Sequence, residues 1–297
     1  MGNTGSGGIC LENGRLSVEV ALPGTYYKGS RFDWNGFVTQ VTLDGTHTFC
    51  VPESLTTGHG TGGCGLCGEF GIHEPVGYDD AAVGGCFPKI GVGTVTKPDV
   101  SRYDFSRSYE FTPFKTEIDK SGSSIEFYSD QAYCNGYSLI YEKRISLEGS
   151  CLKMEYLLKN TGIKTVHTTE YCHNFIGIDG ENVGRGYTLS LPYIPVIASL
   201  PSAMERAADN GLTWKDEGWE NAFYCIIGGY KLERSHSWDI YSSRKGAGVR
   251  EYDDFIPAKF ALWGMRHVIS PEVFMDINVK PGEILAWTRR YEFYSKV

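Results

Sequence analysis

Residues 137–158 read YSLIYEKRISLEGSCLKMEYLL. Two strand-like runs, 137–147 and 151–158, flank the turn pair Glu148-Gly149. In the second run Leu152, Met154, Tyr156 and Leu158 recur at every other position. That period puts four large apolar side chains on one face of an extended strand, with polar residues between them.

The same pattern repeats outward in both directions. At 15–22 (RLSVEVAL), Leu16, Val18, Val20 and Leu22 alternate with polar or small residues until Pro23-Gly24 ends the run. The segment 37–43 (FVTQVTL) enters Asp44-Gly45, a hairpin signal, and continues as THTFCV. Further strand-like runs fall at 187–191, 222–227, 238–242, 258–264, 273–279 and 284–294. One stretch has helix character: SAMERAAD at 202–209, capped by Ser202 and stopped by Asn210-Gly211. About a dozen strands and one short helix predict an all-β architecture of two packed antiparallel sheets, a large twisted β-sandwich. No Pro- or Ser-rich linker and no fixed-period repeat divides the 297 residues, so one domain spanning 1–297 is expected, with 1–9 as a flexible Gly/Ser tail.

Composition sets limits on partners. The formal net charge of −8 disfavours nucleic acid and anionic membranes as partners. No apolar run approaches the roughly 18 residues of a membrane span. The N-terminus lacks the charged and apolar regions of a signal peptide, so a cytoplasmic location is expected; Gly2 and Ser6 fit a loose myristoylation pattern, for which a plain flexible tail is the simpler reading. Nine cysteines do not form a disulfide scaffold.

Two glycine-rich segments, 58–71 (GHGTGGCGLCGEFG) and 84–95 (GGCFPKIGVGTV), interrupt the strand pattern and read as loops with positive-φ positions. Cys64 and Cys67 form a C-x-x-C, but a structural zinc site needs a second ligand pair that the spacing does not provide, and buried thiols are the simpler reading. There is no phosphate-binding G-x-x-x-x-G-K-[ST] and no G-x-S-x-G elbow.

The chemistry concentrates around His173. In TVHTTEYCHNF, alternation sets His167, Thr169, Tyr171, His173 and Phe175 on one face, with Glu170, Cys172 and Asn174 on the other. A polar-aromatic face of this kind suits a wet sheet surface that binds a hydroxylated ligand, although a packed core histidine is the competing reading. Trp263, Arg266, His267 and Glu272 lie within one short C-terminal stretch. Arg31, Asp33 and Trp34 lie near the N-terminus, and Glu69 and Lys89 lie in the glycine-rich segments. Indole rings suit the C–H faces of sugars, while guanidinium and carboxylate groups suit their hydroxyls.

Three segments together resemble the galactose mutarotase-like (aldose 1-epimerase) superfamily. YKGSRFDWNGFVTQVTLDG resembles its early hairpin, NTGIKTVHTTEYCHNFIGID its central histidine signature, and VKPGEILAWTRRYEFY its closing strand pair. The resemblance implies the family's large twisted β-sandwich and interconversion of sugar anomers by acid/base ring opening. It implies His173 as general acid and a glutamate as general base. Counted back from Pro281-Gly282-Glu283, that glutamate's position falls near Trp263, so the nearest carboxylate, Glu272, takes the role of base. The family's Asn/Arg loop is replaced by FPKIGVG, where Lys89 supplies a cation. Arg31, Glu69, Lys89 and Arg266 are then the polar substrate contacts, and Trp34 and Trp263 the stacking walls. The reaction requires no metal or organic cofactor, and a small sugar is the expected partner. A non-catalytic carbohydrate-binding protein is the alternative, favoured by the missing glutamate. Another sugar epimerase, or a lyase, is a second alternative, and the acidic charge balance weighs against a lyase acting on uronates.

Overall fold

A computed structural model describes residues 7–207, 210–231 and 235–296. Among these residues the chain forms strands β1 (Gly8–Glu12), β2 (Leu16–Ala21), β3 (Phe37–Leu43), β4 (His47–Thr48), β5 (Leu66–Phe70), β6 (Cys86–Lys89), β7 (Gly93–Thr96) and β8 (Phe111–Pro113). They continue as β9 (Glu117–Ser121), β10 (Ser124–Cys134), β11 (Tyr137–Glu148), β12 (Cys151–Asn160), β13 (Val166–Asn174), β14 (Tyr187–Ser190) and β15 (Met204–Arg206). The remaining strands are β16 (Gly211–Trp214), β17 (Phe223–Ile226), β18 (Ser237–Ser242), β19 (Ala247–Asp253), β20 (Lys259–Met265), β21 (Val268–Val279) and β22 (Ile284–Ser295). The described helical structure is a single 3₁₀ turn, Ile178–Gly180.

The expected all-β sandwich is borne out. One sheet runs β1-β2-β3-β5-β13-β21-β20-β17, with β4 beside β3; a second runs β15-β16-β14-β18-β19-β22-β12-β11-β10-β9; a small third sheet is β6-β7-β8. β22 therefore lies in the interior of the second sheet, between β12 and β19. The 137–158 hairpin is β11 and β12, paired from Leu139↔Asn160 to Glu148↔Cys151. Its alternation is mirrored in burial: Leu152, Met154, Tyr156 and Leu158 are all inside. The two large sheets meet through rings such as Phe70 of β5 against Tyr141 of β11, at 5.4 Å, and Phe49 against Phe293 of β22, at 4.8 Å.

Three sequence expectations need correction. The segment 202–209 is not a helix: Met204–Arg206 is strand β15, paired with β16, and residues 208 and 209 lie outside the described set. Met204 is buried opposite Trp214, so tertiary pairing overrides local helix propensity, and the expected helix stop at Asn210 is the positive-φ turn of a hairpin. The glycine-rich segments are not loops throughout. Each contributes strands, β5 in the first and β6 and β7 in the second. Gly8 and Ile9, expected in the tail at 1–9, are strand residues paired with Ala21 and Val20; residues 1–6, with Gly2 and Ser6, lie outside the described set. Among the described residues no helix is long and apolar enough to cross a membrane.

Candidate active site

β13 and β21 run antiparallel through the middle of the first sheet, in a register that pairs Tyr171 with Phe274. One face of β13 points into the sandwich, where Glu170 meets Arg289 of β22 at 2.6 Å. The opposite face carries Tyr171 and His173 onto the outer surface of the sheet, as the alternation implied. Extending the β13–β21 register by two residues sets His173 across from Glu272. Their side chains touch: His173 Nε2 lies 3.2 Å from Glu272 Oε1.

Ser270, two residues before Glu272 on the same face of β21, completes the group. Its Oγ is 2.6 Å from His173 Nδ1, accepts the Asn174 backbone N–H at 3.0 Å, and stands 3.5 Å from Glu272 Oε1. The imidazole is thus held at both nitrogens. It also stacks on Phe175 at 3.8 Å and meets the edge of Trp263 at 5.4 Å. Asn174 fastens the two strands from the inside by donating to the Pro271 carbonyl at 2.7 Å.

His173 and Glu272 are each only 4% exposed, and their environment favours the neutral form of both. Burial pushes the Glu272 carboxyl up to about 8, against the pull of Arg31 and Lys259. Burial, reinforced by the positive charge of Arg31, drives the His173 imidazole well below its ordinary value. Burial thus favours a neutral carboxyl beside a neutral imidazole over an ion pair between them. The resemblance implied the opposite starting arrangement, with His173 as acid and Glu272 as base.

A cavity of about 370 Å³ opens above the pair, lined by Arg31, Tyr171, Trp263 and Lys259 among others. Arg31 is sandwiched between the rings of Phe32 and Phe105, at 4.4 and 4.5 Å. It donates to Glu69 at 2.8 Å, to Thr61 at 2.8 Å and to Tyr171 at 3.0 Å. Tyr171 in turn donates to Glu69 at 2.7 Å. The glycine-rich segment around Thr61 is gathered by Glu53, which accepts from Thr61 N and Oγ1 and from Gly63 N.

The structure thus brings four of the eight expected site residues, Arg31, His173, Trp263 and Glu272, into one cavity. Glu69 and Lys89 lie behind its wall, not in it. Glu69 is fully buried beneath Arg31, and Lys89 Nζ stands 3.7 Å from Glu69 while donating to the Phe70 and Gly71 carbonyls. Burial pulls the Lys89 ammonium down to about 8. Trp34 does not line the cavity: its indole N–H donates to the Gly29 carbonyl and its ring packs on Phe111. Arg266 sits elsewhere, beside Asp216 at 3.7 Å and the Val183 carbonyl. Ser270, Tyr171, Thr61 and Lys259 were missed as site residues, although period-two spacing from Glu272 and His173 already placed Ser270 and Tyr171 on the right faces. Cys64 and Cys67 are buried thiols donating to the Thr39 and His173 carbonyls. Among the described residues no cluster of three or more His, Cys, Asp or Glu is arranged to hold a metal.

No protein-family model matches the chain, and no curated protein matches it in sequence. Solved structures do match it. A galactose mutarotase related enzyme from Lactobacillus acidophilus superposes with a TM-score of 0.63 at 12% identity, covering 97% of each chain. A galactose mutarotase-like protein from Lactobacillus casei gives 0.62 at 13% identity, covering 97% of this chain and 100% of the other. A GalM/aldose epimerase homologue from C. elegans gives 0.61 at 11%, covering 98% and 100%. The chain has the galactose mutarotase-like fold.

Proposed function

We propose that the protein is an aldose 1-epimerase-like enzyme, interconverting the anomers of a small sugar by acid/base ring opening. The contact that carries this reading is His173 Nε2 against Glu272 Oε1, 3.2 Å apart in the lining of a cavity of about 370 Å³. Ring opening takes a proton from the anomeric hydroxyl and gives one to the ring oxygen. Both oxygens are bonded to C1, so two adjacent groups of opposite function serve them together. In the resting pair Glu272 carries the proton. It protonates the ring oxygen as the C1–O5 bond breaks, while neutral His173 accepts the anomeric proton. The open aldehyde faces an imidazolium and a carboxylate in contact. Rotation about C1–C2 and reversal of both transfers close the other anomer, and the proton count balances. Ser270 orients the imidazole, and Arg31, Tyr171 and Trp263 surround the sugar.

The test is the rate of α/β exchange of free aldoses, followed by NMR. Wild-type protein should accelerate exchange of at least one aldose, and His173→Asn or Glu272→Gln should each lower that rate by about 10²–10⁴-fold. Trp263, standing where the resemblance puts the base, favours a second reading as a sugar-binding protein without turnover. Binding of a sugar without faster exchange would select that reading.

A further inference from the structure

The cavity above His173 has a neighbour nearly twice its size. His73 lines both the 370 Å³ site and a second cavity of about 700 Å³, so the two spaces share a wall. Resting on the mutarotase reading of the inner site, we propose that the two cavities form one continuous cleft that takes a neutral oligosaccharide, with its reducing-end sugar over His173 and Glu272 and the following sugars beyond His73.

Three observations support this occupant. First, the outer cavity presents free hydrogen-bonding groups of both kinds. Arg102, His73 and His167 can donate, and Glu74 and Asp79 can accept; these side chains are exposed and, among the described residues, none bonds within the protein. A sugar hydroxyl both donates and accepts, so it needs such a mixture. By contrast, Asp80 on the same wall is already engaged by Lys164 at 2.9 Å and Tyr137 at 2.8 Å. Second, half-buried rings stand on either side of His73. Tyr103 lines the outer cavity and Phe105 the inner, and the His73 ring packs on Phe105 at 6.0 Å. Alternating ring and polar surface matches the two kinds of face that a pyranose chain shows. Third, the unpaired carboxylates facing the cleft disfavour a polyuronate and leave neutral sugars as the fitting class.

The chemistry of the inner site fixes the direction. Ring opening requires a free hemiacetal, and a glycan has one only at its reducing end. That end must point to His173, and the chain must leave past His73.

The test compares reducing-end anomer exchange, by NMR, for neutral gluco-, galacto-, manno- and xylo-oligosaccharides of one to four residues. The cleft predicts that kcat/KM in at least one series rises by about tenfold between the monosaccharide and the trisaccharide, the gain expected of a few added hydrogen bonds. In the double variant Glu74→Gln/Arg102→Ala this gain should shrink at least severalfold more than monosaccharide exchange does. A flat length series with active monosaccharide exchange would overturn the cleft and leave the proposed reaction standing. A length gain untouched by the double variant would overturn the outer cavity as its source. Absence of exchange with every sugar would remove the mutarotase reading, and the oriented cleft with it.

Discussion

His173 and Glu272 show how a strand pair can tune two groups at once. Both are desolvated, and desolvation moves an acid and a base in opposite directions, each toward neutrality. This has a measurable consequence for Glu272. In the folded chain it keeps its proton up to about pH 8, whereas its ordinary value is 4.5. The folded state therefore binds more protons across that window. This group's contribution to stability is complete below the lower value and is lost as pH rises through the upper one. Glu272→Gln stays neutral throughout, so its melting temperature should decline less than the wild type's between about pH 6 and about pH 9. Equal declines would show that the carboxyl is already ionised at neutrality. The legible part of the site is the part that follows from alternation, the shared face of Tyr171 and His173. The illegible part is burial. Lys89, Trp34 and Arg266 carry suitable chemistry, but nothing local tells a lysine whether it will face a cavity or sit beneath a fully buried glutamate, as Lys89 does.

Among the elements, strands with clean period-two patterns were readable to within a residue or two. β3 occupies 37–43 as expected, and β11, β12, β18, β20 and β22 fall close to their expected runs. The failures are short strands. β5, β6, β7 and β15 have three to five residues each, too few for alternation to show; β5 is set by β13, distant in the chain, whereas β6–β7 and β15–β16 are local hairpins. Glycine here serves close approach as well as turns. Gly91, at φ +75 in the turn between β6 and β7, accepts the backbone N–H of Trp34 at 3.0 Å with its carbonyl, and a Cβ there would strike the Asp33 carboxylate. Gly14, at φ +85, has open space around it. Gly91→Ala should therefore cost about 1–3 kcal/mol, and more than Gly14→Ala, in urea titrations. Equal losses would mean that the loop relaxes away from Asp33.

Across the whole molecule, the sheets are joined by charge as well as by apolar packing. Arg289 of β22 is fully buried and meets Glu170 at 2.6 Å and both Glu251 and Asp253 at 3.2 Å. Burial and the neighbouring Glu251 hold the Asp253 carboxyl well above its usual range. Arg289→Met would leave three buried carboxylates without their cation and should destabilise by about 3–5 kcal/mol at neutral pH. The deficit should narrow as pH falls and the stranded carboxyls take up protons; a pH-independent deficit would point to lost packing instead. The position of β22 also bears on how the protein is made. Its two neighbours, β12 and β19, leave the ribosome before it does, and until β22 is released no strand bridges them. A nascent chain ending near residue 280 holds the second sheet as two halves, each with an open inner edge able to pair with another chain. The sheet can close only after β22 is synthesised, so two unpaired edges stand open between translation of β19 and emergence of β22.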